Sequence, residues 1–206
     1  MRKLKPMYAS TGIATPSVSD VQYYLGLYAS PQNAHYRKQD QCIHSIITAH
    51  PHNVNLDDVL AKACLINEFY STNIFKILPV AENILTVNFD KRIKKLDCQL
   101  VADVAKVNVG NGKILNLYSF ATKYCANHNP NVYPIFDSYV EGVLVYFRDK
   151  HFHNKHQFAS FKNSELRDYK QFCNIIDKFR TDFGLTQFSV REIDHYLWML
   201  GKDKFE

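Results

Sequence analysis

Glycine is scarce, with seven in 206 residues, and proline is equally sparse at seven. So few conformational breaks leave little material for the many tight turns of an all-β fold. Tryptophan occurs once. The five cysteines, at positions 42, 64, 98, 125 and 173, are odd in number and no two lie close in sequence. No CxxC pair is present, so zinc and thioredoxin-type chemistry lack their usual spacing. Each cysteine has apolar neighbours, as buried free thiols do, and a reducing, cytoplasmic compartment fits them. No apolar run approaches the roughly 20 residues of a membrane span, so no membrane partner is expected. The N-terminal "MRKLKPMYASTG" has basic residues without an apolar stretch behind them, unlike a secretory signal.

What is present describes a globular chain. Hydrophobic residues make up 46% and charged residues 22%, enough apolar surface for a full core. The net charge of +5 suits a polyanion without requiring one. Helical spacing recurs almost everywhere. "SVSDVQYYLGLYAS" opens with serine caps, and "RKQDQCIHSIITAH" stops at Pro51. "NLDDVLAKACLINEFY" has Asn55 as its N-cap and acids in its first turn. "TNIFKILPVAENILTV" carries Pro79 near a first turn or at a kink. "CQLVADVAKV", "ILNLYSFATKYCA", "SYVEGVLVYFRDK", "SELRDYKQFCNIIDKFRTDF" and "SVREIDHYLWMLGK" continue the pattern, the last with a Ser189/Glu192 capping box. The expected fold is all-α: a compact bundle of eight or nine short helices with a helix–hairpin–helix element. It forms a single domain over residues 1–206, with room for two lobes and a cleft.

Three groups of residues carry candidate chemistry. His151, His153 and His156 cluster in a basic loop with Lys150, Lys155 and Lys162, but no carboxylate or cysteine stands at ligand spacing, so no metal is expected. "DKRIKKLD" supplies Lys91, Arg92, Lys94 and Lys95, a solvated surface or a phosphate contact. After it, "VNVGNGK" places Gly110 and Gly112 in a tight turn between two helices, where backbone N–H groups at a helix start would hold a phosphate. Lys123 then lies within the apolar "SFATKYC", and Asp137 follows the apolar "YPIF" at a helix start. A desolvated lysine can act as a nucleophile, and a fixed carboxylate can stabilise positive charge on a sugar. Asp137 serves equally as a plain N-cap.

The order "FYSTNIFKILPVAENI", "VNVGNGK", "NPNVYPIFDSYV" resembles the helix–hairpin–helix DNA glycosylase superfamily, and within it the 8-oxoguanine DNA glycosylase-like proteins. Those enzymes carry a polar turn entering a helix, then the hairpin, then a proline–aliphatic–Asp segment opening a helix. The matching region spans residues 67–145, with a glycosylase-like core at about 55–150. The resemblance implies that Lys123 attacks C1′ of the sugar and forms a Schiff base. Asp137 would stabilise the transition state and activate the nucleophile. Asn73, with Ser71 and Thr72, would fill the space of a flipped base, and the backbone around Gly110 and Gly112 would hold a phosphate beside Lys113. The implied partner is double-stranded DNA, bound by a monomer that needs no cofactor. The family hairpin usually reads Gly-hydrophobic-Gly with the lysine just beyond it. Here that position is Lys113, 24 residues before Asp137, whereas Lys123 lies 14 before it. Lys123 is preferred for its place on the helix body. Tyr118, Phe120, Tyr124, Tyr133 and Phe136 surround the expected site. Should the chemistry have been lost, a non-catalytic helical module that binds nucleic acid or protein remains.

Overall fold

A computed structural model describes residues 12–151 and 157–205. His153, His156 and Lys155 of the histidine-rich loop, and the N-terminal basic segment, lie outside the described residues. The fold is all-α. In chain order the elements are α1 (Val18–Ala29), α2 (Ala34–Ala49), α3 (Leu56–Phe69), α4 (Leu78–Thr86), α5 (Phe89–Arg92), α6 (Cys98–Ala105), β1 (Lys106–Asn108), β2 (Ile114–Asn116), α7 (Tyr118–His128), α8 (Ser138–His151), α9 (Tyr169–Asp182) and α10 (Val190–Phe205).

Helix starts follow local chemistry. The Ser17 hydroxyl accepts from the Asp20 N–H at 3.2 Å, and Asn55 Oδ1 accepts from the Asp58 N–H at 3.1 Å. The Ser189 hydroxyl accepts from the Glu192 N–H while the Glu192 carboxylate accepts from the Ser189 N–H at 2.7 Å, the reciprocal box expected for α10. Pro79 sits in the first turn of α4, where its missing N–H costs nothing.

The expectation for the glycine-rich turn changes. The stretch from Ile114 is not a helix, and Gly110 and Gly112 do not sit in a bare turn between helices. Lys106–Asn108 and Ile114–Asn116 pair antiparallel, with Val107 opposite Leu115. Gly110, Asn111 and Gly112 all take positive φ (92°, 52° and 70°), which the two glycines reach without strain. Asn108 Oδ1 accepts from the Gly110 N–H, and the Gly110 carbonyl accepts from the Lys113 N–H, closing the tip. The glycines therefore stand away from the start of α7 at Tyr118, so their N–H groups belong to the tip of a β-hairpin and not to a helix N-terminus.

The chain divides into two units. One runs to Ala34 and resumes at Phe136; the other is His35–Ile135. In the first, α10 packs on α8 and α1. Tyr24 donates to Asp203 at 2.9 Å and Tyr196 to Asp20 at 2.6 Å, so α1 and α10 each anchor a tyrosine on an acid of the other. Gly201 permits the close approach of α10 to α8: a Cβ there would stand 2.7 Å from Tyr139 Cβ and 2.9 Å from its carbonyl oxygen. In the second unit, α7 packs against α6 and α3, and α4 packs against α3 and β1.

Gly201→Ala should therefore cost about 1–3 kcal/mol, because the new methyl meets backbone as well as a side chain. Urea unfolding of the variant beside the wild type reads it, and an unchanged midpoint would contradict the close packing.

Candidate functional site

Helix α7 is the most enclosed element around the expected site. Tyr118 and every residue from Phe120 to Ala126 are buried, including Thr122 and Lys123. A polar side chain in such a place must find a partner. Thr122 donates to the Ser119 carbonyl at 3.0 Å, and Lys123 Nζ donates to Ser119 Oγ at 2.6 Å. Lys123 is 3% exposed. Its amine also lies 5.7 Å from the centre of the Tyr70 ring, over the face that attracts cations. The Tyr70 hydroxyl donates to Asp40 at 3.3 Å and accepts from Asn127 Nδ2, which also reaches the Lys123 carbonyl.

A second buried network starts one residue later on the same helix. Tyr124 donates to Asn53 Oδ1 at 2.6 Å. Asn53 donates through its side chain and backbone to the Asp90 carboxylate, at 2.8 and 2.9 Å. Burial acts to raise the Asp90 carboxyl, but the Asn53 bonds and nearby His52 outweigh it and hold it below the usual range. Lys62, 1% exposed, donates to the carbonyls of His50 and His52 just beyond α2, and burial lowers its pKa. These bonds fasten the 50–53 connection to α3, α5 and α7. His128 lies on the next turn of α7. Its Nδ1 bonds the Tyr124 carbonyl at 2.8 Å, so the neutral ring carries the proton on Nδ1, and Nε2 is buried with no hydrogen-bond partner among the described residues. Burial pulls its pKa down to about 4.

Asp137 caps α8: its Oδ1 accepts from the N–H groups of Tyr139 and Val140 at 2.9 and 3.0 Å. It is half-buried and belongs to the unit that resumes at Phe136, whereas Lys123 belongs to His35–Ile135.

The polar turn before α4 is a built loop. Asn67, near the end of α3, pins it: Oδ1 accepts from Thr72 Oγ1 at 2.7 Å and the Ile74 N–H at 2.9 Å, and Nδ2 donates to the Ile74 carbonyl. Ser71 and Asn73 both take left-handed backbone (φ 49° and 58°), strained for residues with a Cβ. Asn73 itself is exposed and donates to the Ser71 carbonyl. Ile74 is buried, and the next residue, Phe75, is 98% exposed. Helical periodicity runs through "TNIFKIL" and hides Phe75; the signal that marks it is the polar "STN" just before it.

The exposed charge that follows this loop in sequence is mostly positive. From Phe75 to Lys113, Lys76, Lys91, Lys94, Lys95, Lys106 and Lys113 are exposed. Arg92, expected to join them, turns inward to Asp97 at 2.6 Å and Asp103 at 2.8 Å; the Asp97 bond holds its guanidinium above the usual value. The same pairing occupies two of the segment's four acids, and Asp90 is held by Asn53, which leaves Glu82 as the exposed acid. The aromatic residues expected around the site, Tyr118, Phe120, Tyr124, Tyr133 and Phe136, are all buried. Tyr133 holds the lysine-rich turn from beneath, donating to the Lys95 carbonyl and accepting from the Asp97 N–H. Cys125 and Cys173 are buried as expected, but Cys64 is exposed; all five are free thiols. Among the described residues no group of His, Cys, Asp or Glu is arranged to hold a metal, and no helix is long and apolar enough to cross a membrane.

The profile of the HI_0787_N family, an N-terminal domain, matches residues 20–132. The chain belongs to this family. A Haemophilus influenzae relative, described as an uncharacterized protein, is 43% identical over 152 residues, which is 73% of this chain and 69% of the relative. No solved structure matches. The family match contains Lys123, the Phe75 loop and the hairpin, and ends before Asp137.

His128 gives a pH test of the buried site. Unfolded, a histidine takes up its proton near pH 6.5; folded, this one does so only near 4. The unfolded state therefore binds more protons in between, and stability is lost as pH falls from 6.5 towards 4, by about 2–3 kcal/mol. Urea titrations across that window should show the loss in the wild type and a flatter limb in His128→Gln. Parallel curves would contradict a buried neutral ring.

Proposed function

We propose that this protein is a DNA glycosylase-like enzyme that acts in the cytoplasm, as a monomer without cofactor, on double-stranded DNA. The observation that supports the chemistry is the Lys123 amine, buried in α7 beside the Ser119 hydroxyl. An amine is a nucleophile only when neutral, and a desolvated site is where enzymes keep one. In the proposed reaction Lys123 Nζ attacks C1′ and the N-glycosidic bond breaks with its electron pair on the departing base. Nitrogen then loses a proton and the sugar ring opens to a Schiff base. Asp137, its Oδ1 held by two backbone N–H groups at the start of α8, is the second residue that this reading names, for its charge and not for its cap.

Binding rests on the six exposed lysines from Lys76 to Lys113, which outnumber the exposed acid of the segment, Glu82. Gly110, Gly112 and Lys113 at the hairpin tip, and Thr72 and Asn73 on the strained loop, are the proposed DNA contacts. Phe75 adds an exposed aromatic face close to Asn73 in sequence. That exposure also favours the second reading, a non-catalytic nucleic-acid-binding module, since neither Phe75 nor the lysines require any chemistry.

Borohydride reduction in the presence of abasic-site DNA should trap a covalent adduct in the wild type. Lys123→Ala should lower its yield by roughly 100-fold or more, a general order for the removal of a catalytic group. Asp137→Asn keeps an N-cap but removes the charge, so base release should fall while stability holds. An adduct that persists in Lys123→Ala and disappears in Lys113→Ala moves the chemistry to the hairpin; DNA binding without any adduct or base release leaves the binding module.

Changing Lys91, Lys94 and Lys95 to Ala together should reduce the salt slope of DNA binding by about 0.9 for each phosphate that the turn neutralises. A slope equal to the wild type would remove this turn from the interface.

A further inference from the structure

Ser119 opens the stretch "SFATKYC" one helical turn before Lys123 and has no role in the reading above. In an α-helix residues i and i+4 share a face, and long side chains point back towards the N-terminus. The lysine stem on α7 therefore runs back along the helix, and its amine meets the serine hydroxyl at 2.6 Å. Ser119 is half-buried where Lys123 is buried, so it is the more accessible residue of the pair. Tyr70 presents its ring to the amine at 5.7 Å and directs its hydroxyl to Asp40 and Asn127. A hydroxyl can both accept a proton from nitrogen and give one to an oxygen nearby, and Ser119 Oγ stands in direct hydrogen-bond contact with the amine.

We infer that Ser119 relays the proton during imine formation at Lys123. The inference rests on the reading of Lys123 as a nucleophile. When Nζ adds to an aldehyde carbon, a C–N bond forms and the carbonyl oxygen becomes a hydroxyl after taking up one proton. To form the imine that hydroxyl must leave as water, which needs a second proton on oxygen and the loss of one from nitrogen. Ser119 Oγ accepts the proton from nitrogen and passes its own to the departing oxygen. The C–O bond then breaks, the nitrogen lone pair closes the C=N bond, and Ser119 ends as it began. No oxidant or further reactant is consumed.

The test separates this step from the DNA reading by using glycolaldehyde with cyanoborohydride, followed by mass spectrometry of the Lys123 peptide. Ser119→Ala should slow labelling at Lys123 by roughly 10- to 100-fold, the lower part of the range for positioned acid–base groups. Ser119→Thr, which keeps the hydroxyl, should restore most of the rate. The wild type should show a solvent deuterium isotope effect that Ser119→Ala loses. Circular dichroism and melting of both variants guard against loss of the fold, and a variant that melts early is replaced by Ser119→Cys. Labelling of Ser119→Ala at the wild-type rate overturns the inference, as does a wild-type Lys123 that is not labelled. Serine-dependent labelling with glycolaldehyde but no adduct on abasic-site DNA upholds the relay and removes the glycosylase reading instead.

Discussion

The constraint that governs the His35–Ile135 unit is the burial of α7. A helix enclosed from Phe120 to Ala126 leaves little water for the polar groups it carries, so most are answered from within, the His128 Nε2 excepted. Lys123 turns to Ser119, Thr122 to its own backbone, Tyr124 to Asn53 and His128 to the Tyr124 carbonyl. Each answer positions something else. The Tyr124–Asn53–Asp90 chain fixes the connection after α2, and Lys62 fastens the same connection from α3. Removing one member of such a network leaves its partner buried without a hydrogen bond, at a cost larger than the bond itself contributes.

The surface of the same unit obeys a different logic. Arg92 pairs with Asp97 and Asp103, and Asn53 hydrogen-bonds Asp90, so three of the four acids of the segment are engaged within the fold. Positive charge is left facing outward from Lys76 to Lys113. The loop before α4 uses two left-handed residues to hold Phe75 in water. Strain and an exposed aromatic side chain in one loop are both unfavourable to an isolated domain, and a partner that covers the ring would offset them.

Much of this is legible in the sequence, for local reasons. Ser17, Asn55, Asp137 and the Ser189/Glu192 pair cap the helices as their positions predict, because an N-cap depends on a few adjacent residues. The hairpin is not legible: strands of three residues are too short for alternation to be distinguished from a helical face. The inward turn of Arg92 is hidden because its partners lie 5 and 11 residues away, beyond what a basic run reveals. The burial of Lys62 is hidden because its amine answers backbone carbonyls, which have no signature in sequence. The Ser119–Lys123 pair is within reach of sequence reasoning, since i,i+4 spacing on a helix predicts the contact.

The proposed activity turns on which amine reacts. Wild-type protein reduced with borohydride on abasic-site DNA, digested and sequenced by mass spectrometry, identifies that amine directly. The account predicts a deoxyribose remnant on the peptide that contains Lys123. A remnant on Lys113 or another exposed lysine of the hairpin and basic turn, with Lys123 unmodified, would contradict it.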